Sequence, residues 1–172
     1  MAVDTFIYFT EQAGMLKVEG ETKDEYFSKL KAFELKDWSF EVTNKSTIGS
    51  ATGGAGSGKA EFAEFNITKT TDTASPNFFR NCVAGAHYKE VILAMRKAGG
   101  DPKSAGTPFL VYKFGTVFTT KVSWESGEDA PTEKITFVYG TLQVEYQTQN
   151  PDGTKGGSPK VQGWSQITNK AL

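Results

Sequence analysis

The chain has very little cysteine, histidine or excess charge of one sign. Cys82 is its one cysteine and His87 its one histidine, within 172 residues. A lone cysteine cannot form a disulfide inside the chain, and these two side chains cannot supply the four ligands of a structural zinc site. Because the formal net charge is −1, the chain has no general attraction for phosphate, and no nucleic-acid partner is expected.

Long apolar runs are also missing. The run from Phe6 to Phe9 has four residues, and no Lys or Arg precedes it, so no cleavable signal peptide is expected. No segment approaches the ~20 apolar residues of a membrane-spanning helix. The sequence therefore predicts a protein made in the cytoplasm. If it leaves the cell, its export needs a route that uses no cleavable signal peptide.

Strand patterns dominate what is present. Aromatic residues make up 13% of the chain, which favours strands over helices. Apolar residues alternate at period two within segments 3–9, 33–42, 63–67, 88–97, 118–124 and 135–146. In segment 118–124 the alternation places Phe118, Val122 and Trp124 on the apolar side and Thr119 on the polar side. The pattern slips by one near Lys36 and again at Gly140, as a β-bulge or bend would cause.

One short helix is predicted after residue 74. Ser75 is a good N-cap, Pro76 suits the first helical position, and Gly85 suits the C-terminal cap. The residues expected on its apolar face are Phe78, Phe79, Cys82 and Val83. With no repeat or linker, the chain is predicted to form one domain over residues 1–172. The expected fold is mainly β, an antiparallel barrel or sandwich with one short flanking helix.

A glycine-rich loop around residues 43–59 imitates a nucleotide site. From Gly53 to Lys59 it matches seven of the eight positions of a phosphate-binding P-loop. Position 60 is Ala, which lacks the hydroxyl that would hold Mg²⁺, and a strand pattern follows where a P-loop needs a helix. We therefore predict a mobile loop that binds no nucleotide.

No other group of residues predicts catalysis. Cys82 and His87 could form a nucleophilic pair, but a small buried cysteine under the helix is the favoured interpretation. The acidic segment 125–129 lacks the ligand order of a calcium loop and indicates a solvated turn. No enzyme activity, cofactor or metal is expected, and the chain is predicted to be a structural or binding protein. A monomeric small-molecule-binding β-barrel and a hydrolase with an unrecognised site stay as alternatives.

Short motifs along nearly the whole chain carry a resemblance to a known family. In order they are Met1-Ala-Val-Asp4, Gly20-Glu-Thr22, Trp38-Ser-Phe40, Gly58-Lys59, Ile67-Thr-Lys69, Ser75-Pro76, Gly85-Ala-His-Tyr88, Arg96-Lys-Ala-Gly99, Val144-Glu-Tyr146, Asp152-Gly153 and Gly163-Trp164. In this order they resemble the haemolysin-coregulated protein (Hcp) family, the inner-tube subunits of bacterial type VI secretion systems. The segment 24–36 and the strand around Gly140 are longer than is usual in that family.

The resemblance implies a β-barrel with a flanking helix, assembled as a homohexameric ring. Rings would stack into a tube, like a phage tail tube, inside a contractile sheath and under a spike protein. The tube would be expelled from the cell and would carry small effector proteins in its lumen. Period-two alternation turns Ser39 away from the face that Trp38 and Phe40 share. The resemblance implies that this motif lies on a wall strand, which makes Ser39 the candidate lumen residue.

The candidates for ring stacking lie in the glycine-rich loop: Gly53, Gly54, Gly56, Gly58 and Lys59. Lys59 and Lys45 border the loop, so we expect them to reach acidic groups of a neighbouring ring, such as those in segment 125–129.

Overall fold

Strands make up most of the secondary structure. The computed structural model of the chain describes residues 3–10, 12, 14–45, 58–97, 107–152 and 154–172. Within these ranges the strands are β1 Val3–Thr10, β2 Phe33–Glu34, β3 Asp37–Ser39, β4 Val42–Asn44, β5 Ala60–Phe62, β6 Phe65–Thr70, β7 His87–Lys97, β8 Leu110–Glu125, β9 Thr132–Tyr146, β10 Lys160–Ser165 and β11 Lys170–Ala171. One helix, α1, spans Ser75–Ala84, and a short 3-10 helix spans Phe27–Leu30. The prediction of a mainly β chain with one short α-helix is confirmed.

Strand β9 organises the main sheet. Strand β8 pairs along one edge of β9 over nearly its whole length. The other edge is divided: β6 pairs with residues 132–137 and β10 with residues 141–146. Beyond β8 the order continues through β7 and β1 to β2, while β3 follows β6 and β11 follows β10. Every one of these pairs is antiparallel. Strand β9 connects two branches of strands, one beyond β8 and the other beyond β6 and β10.

The segment from Phe33 to Ser39 joins two of these branches. Strand β2 pairs with β1, and β3 pairs with β6. Between them, the Leu35 N–H donates to the Thr5 carbonyl at 3.1 Å, and the Lys36 N–H donates to the Thr68 carbonyl at 2.8 Å. The phase slip predicted near Lys36 is therefore the point where the chain changes its partner strand.

Three neighbouring strands change phase together at the middle of the sheet. The buried residues flanking the change are Tyr88 and Val91 in β7, Phe114 and Val117 in β8, and Tyr139 and Leu142 in β9. Each pair is three residues apart, whereas regular alternation gives two. Thr116 lies between Phe114 and Val117 with a φ of 51°, so the backbone there is left-handed. The phase change predicted at Gly140 is confirmed, and it is shared by the two strands beside β9.

A bulge corrects the prediction for the second half of β8. The register with β9 shifts between Thr119 and Lys121. Val117 and Thr119 are buried before the bulge, while Phe118 is 38% exposed. The expectation that Phe118 faces the core and Thr119 faces water is wrong, because one extra residue reverses the face of everything before it.

Helix α1 spans Ser75–Ala84, and Gly85, its C-cap, has a φ of 66°. The C-terminal cap is confirmed, since glycine adopts this left-handed conformation without strain. Ser75 is not the N-cap: Ala74 occupies that position and makes no side-chain cap. Instead, the Ser75 hydroxyl donates to the Glu133 carboxylate at 2.9 Å.

The buried face of α1 differs from the predicted one. Phe78 and Asn81 are buried, whereas Phe79 and Val83 are 50% and 62% exposed. Asn81 is tolerated inside because its side-chain amide donates to the Leu16 carbonyl at 2.7 Å and accepts from the Leu16 N–H at 3.2 Å. Two apolar side chains therefore stay outside while an amide takes a core position.

Candidate functional site

The predicted lumen residue lies on an exposed strand face. Ser39 is exposed and pairs with Asn66 across β3 and β6. Trp38 and Phe40 are part-buried against the core, and both rings contact Tyr112, at 5.7 and 5.0 Å between centroids. The predicted alternation around Ser39 is confirmed, and its use as a lumen surface stays a prediction.

The glycine-rich loop lies in the chain between two strands, β4 and β5, that pair with each other. Strands β4 and β5 pair with each other, and β5 begins at Ala60, so a strand follows the loop where a P-loop needs a helix. A Cβ atom on Gly58 would lie 2.2 Å from the Lys45 carbonyl oxygen, so only glycine fits there. Lys59 is exposed. The other stacking candidates, Gly53, Gly54 and Gly56, lie outside the described residues.

Lys45 has a partner within its own chain. Its ammonium group lies 3.0 Å from the Glu61 carboxylate, across the β4–β5 pair. Both side chains are largely exposed, so this pair contributes little to stability. A contact between Lys45 and a neighbouring ring would therefore have to replace its ion pair with Glu61. Lys59 is exposed and forms no ion pair within the described ranges.

A buried ionic cluster joins α1 to the sheet, and sequence reasoning missed it. The Lys69 ammonium group lies 2.8 Å from the Glu133 carboxylate and 2.9 Å from the Asp72 carboxylate. Lys69 is 1% exposed and Glu133 is fully buried. Ser75 donates to one Glu133 oxygen, and the Trp124 indole N–H donates to the other at 3.0 Å.

The cluster satisfies its charges locally. Lys69 also donates to the Thr70 carbonyl at 3.1 Å and lies over the rings of Phe33 and Phe78, at 5.2 and 5.5 Å. A buried charge is tolerated only when it is paired and hydrogen-bonded, as both members are here. The arrangement holds β6, β8, β9 and α1 together.

Cys82 and His87 have different surroundings. Cys82 is part-buried in α1, so the expectation of a buried cysteine under the helix is wrong. His87 is exposed and stacks on Phe118 at 5.2 Å between ring centroids. No hydrogen bond joins the two side chains within the described part of the chain, and the structural role of Cys82 stays a prediction.

A second small core covers the outer side of β1. Phe6 stacks on Phe27 of the 3-10 helix at 4.0 Å between ring centroids, and Arg96 lies over both rings. The Arg96 guanidinium donates to Asp4 at 3.2 Å and to Asp24. Partial burial opposes ionisation of Asp24, but the hydrogen bonds from Arg96 and the backbone lower its pKa. The long segment 24–36 is thus fastened to the sheet through the Arg96 motif.

Comparison with known proteins assigns the family. The family model described as "Type VI secretion system effector, Hcp" matches residues 6–146. The chain belongs to the Hcp family. It therefore joins a group of secreted structural proteins of type VI systems, and the resemblance carried by the motifs is confirmed.

Individual Hcp proteins support the same assignment. The chain is 35% identical over 109 residues to protein hcp1 of Pseudomonas aeruginosa, a match covering 62% of this chain and 65% of that relative, just under two thirds of its length. A solved structure described as a type six secretion system protein is 31% identical, with a TM-score of 0.84 and coverage of 99% and 100%. Hcp1 from Salmonella typhimurium is 26% identical, with a TM-score of 0.74 over 100% of both chains.

The Hcp fold has no long apolar helix in the described ranges. Neither α1 nor the 3-10 helix has the length and apolar content to cross a bilayer.

The family motifs Ile67-Thr-Lys69 and Ser75-Pro76 meet in the buried ionic cluster, although Glu133 lies in neither motif. The sequence signal for this cluster was Lys69, a lysine at a position of β6 where period-two alternation predicts an apolar residue.

Proposed function

We propose that this Hcp chain is the tube-forming subunit of a type VI secretion system. Six copies close into a ring, and rings stack into an expelled tube within a sheath and under a spike protein. The lumen carries and protects small effector proteins. The observation that carries this proposal is the match to Hcp structures over the whole length of the chain.

The subunit itself is proposed to be a single closed barrel. The hydrogen bonds from Leu35 to Thr5 and from Lys36 to Thr68 support closure, because they link β1 to β6 through the segment 33–39. A barrel leaves fewer unpaired strand edges than an open sheet does, and this protects a secreted subunit from uncontrolled edge-to-edge association.

The packing of the interior favours a structural role over a small-molecule pocket. Phe65 stacks on Phe114 at 4.3 Å between centroids, and Tyr139 meets Phe114 edge-on at 4.9 Å. Phe9 contacts Tyr88 at 4.7 Å in the same core. A ligand-binding barrel keeps a cavity in this place. Light scattering of the purified chain tests the choice: a particle near six times 18.7 kDa supports the ring, and a monomer contradicts it.

Ser39 is proposed to line the lumen. A Ser39→Gln change adds bulk on the exposed face of β3, so rings should form normally while co-purifying effector protein decreases. Ser39→Ala is the matched control, because it removes the hydroxyl without adding bulk. Equal effector levels in the two variants would contradict the lumen assignment.

The glycine-rich loop is proposed to mediate stacking. Shortening residues 52–57 should leave the ring intact but weaken tube formation and secretion. Replacement of the same residues by a Gly-Ser segment of equal length is the control, and it should retain stacking if reach is what matters. ATP should give no thermal stabilisation. Normal secretion by the shortened chain would refute this role.

A further inference from the structure

A small apolar patch interrupts the polar, exposed face of the main sheet. Phe118 of β8 and Val138 of β9 lie directly opposite one another and are 38% and 39% exposed. His87, opposite Phe118 on the neighbouring strand β7, is exposed and stacks on the Phe118 ring at 5.2 Å between centroids. We call His87, Phe118, Val138 and Ile167 the Phe118 patch. Exposed apolar groups that cluster in this way mark protein interaction sites.

Ile167 joins the Phe118 patch from the turn after β10. It is 68% exposed, and its Cδ1 atom would lie 2.6 Å from a Cβ atom on Gly140, so only glycine leaves room for it there. Gly140 follows Val138 by two residues, which places both on the same face of β9. The turn is fixed, because Gln166 donates its backbone N–H to the Gly140 carbonyl at 2.9 Å and its side-chain amide to the Tyr139 carbonyl at 2.7 Å. An apolar side chain carried by a fixed turn loses less entropy on binding.

The Phe118 patch shares its face with the predicted lumen residue. Ser39 pairs with Asn66, and Asn66 pairs with Thr136. The Thr136 hydroxyl donates to the Asn66 amide oxygen at 2.7 Å, and Thr136 precedes Val138 by two residues, so all four side chains project to one side of the sheet. At ~4.8 Å between strands and ~3.3 Å per residue, the patch begins roughly 12 Å from Ser39. One short segment of a bound protein can therefore contact both.

The rim of the Phe118 patch is cationic. Lys121 lies opposite Thr136, and Lys170 begins β11 just after the Ile167 turn. Both lysines are exposed, and neither forms an ion pair within the described ranges. The one carboxylate of β7, that of Glu90, accepts from the Thr10 hydroxyl of β1 at 3.4 Å, on the other edge of that strand. An apolar centre with a positive rim is complementary to an apolar side chain flanked by carboxylates.

We propose that the Phe118 patch binds a segment of the cargo protein that presents an apolar side chain beside a carboxylate. The apolar side chain packs among Phe118, Val138 and Ile167, and the carboxylate faces Lys121 or Lys170. This inference rests on the proposed cargo role of the lumen, and it adds the chemistry by which this chain selects its cargo.

A defined peptide tests this specificity on the full chain. The probe is the peptide Gly-Asp-Leu-Phe-Asp-Gly carrying a neutral coumarin dye, and its binding is followed by fluorescence anisotropy. A second peptide has Lys in place of both Asp residues, and a third has Ser in place of Leu and Phe. We expect the first peptide to bind at least about tenfold more tightly than either of the others, because each of them lacks one half of the complementary chemistry.

Substitutions locate the binding on the surface. Phe118→Ser with Ile167→Ser should weaken binding of the first peptide by roughly tenfold or more, and Lys121→Glu by roughly fivefold. Leu30→Ser and Lys29→Glu are the matched apolar and charge controls, because both residues lie on the 3-10 helix, which packs near the other end of β7. Neither control should change binding. All five side chains are at least partly exposed, so thermal unfolding of each variant should match that of the parent.

The outcomes separate this inference from the proposed function. If the parent chain is monomeric at every concentration, the ring is refuted and the inference falls with it. If the parent forms rings and Ser39→Gln lowers cargo, but the three peptides bind equally or Phe118→Ser with Ile167→Ser binds as the parent does, the lumen stands and the Phe118 patch is overturned. Loss of the ring in Phe118→Ser with Ile167→Ser would also overturn it, because the patch would then belong to a contact between copies.

Discussion

Replacing Lys69 with methionine should destabilise the folded chain strongly. Methionine preserves most of the apolar stem that packs on Phe33 and Phe78, but it removes the ammonium group 2.8 Å from Glu133. Glu133 would then be a fully buried carboxylate that keeps only its hydrogen bonds from Ser75 and Trp124. Asp72 is partly exposed and can be solvated instead.

The expected loss follows from the burial. Removing one partner of a buried ion pair costs about 3–5 kcal/mol, because the remaining charge stays desolvated. Domains are typically stable by about 5–15 kcal/mol, so the loss is a large part of the total. For a chain of this length, it corresponds to a decrease in Tm of about 6–20 °C.

Urea unfolding followed by tryptophan fluorescence measures this loss, with parent and variant at one protein concentration because assembly adds to apparent stability. Lys134→Met is the matched control. Lys134 pairs with Glu125 at 3.0 Å, but the two side chains are 49% and 59% exposed. Its loss should stay below about 1 kcal/mol.

A double-mutant comparison separates ion pairing from packing. Lys69→Met with Glu133→Leu removes both charges, so it should cost clearly less than the sum of the two single changes. Additive losses would show that the two groups do not interact. A Lys69→Met loss no larger than that of Lys134→Met would refute the reasoning, since buried and exposed pairs would then be equivalent.

Three further outcomes are expected from other positions. Burial raises the pKa of Tyr139 to about 12 from an ordinary value near 10, so its stabilising contribution is complete below about pH 10 and is lost as the pH rises through 12; Tyr139→Phe should flatten alkaline unfolding between these values. Gly20→Ala should cost about 1–3 kcal/mol in thermal unfolding, because the new Cβ would lie 1.9 Å from the Ala32 carbonyl oxygen. Cys82→Ala should cost about 1 kcal/mol and leave ring formation and secretion intact, and a folded, hexameric variant that is not secreted would contradict a purely structural cysteine.

Local patterns in the sequence were sufficient for the elements and the family. Alternation around Ser39 predicted which face it occupies, because side chains of a strand point to opposite faces in turn. Gly85 was readable as a helix end, since few other residues adopt its left-handed backbone. The phase slip at Gly140 was visible because the period-two alternation breaks there. Its extension across β7 and β8 was not visible in the sequence. The order of the motifs along the chain was enough to predict the Hcp family.

Tertiary structure decided which residues meet. Lys69 and Glu133 lie on β6 and β9, and nothing local to either one indicates that they pair. The helix pattern favoured Phe79 as a core residue, but the position of the segment around Leu16 placed Asn81 inside and left Phe79 beside Trp124. Periodicity reports the face of an element, whereas the partner of that face depends on contacts between segments far apart in the chain. Lys69 at an apolar position of β6 indicates a buried charge, but which groups pair with it is a property of the fold and could not be read along the sequence.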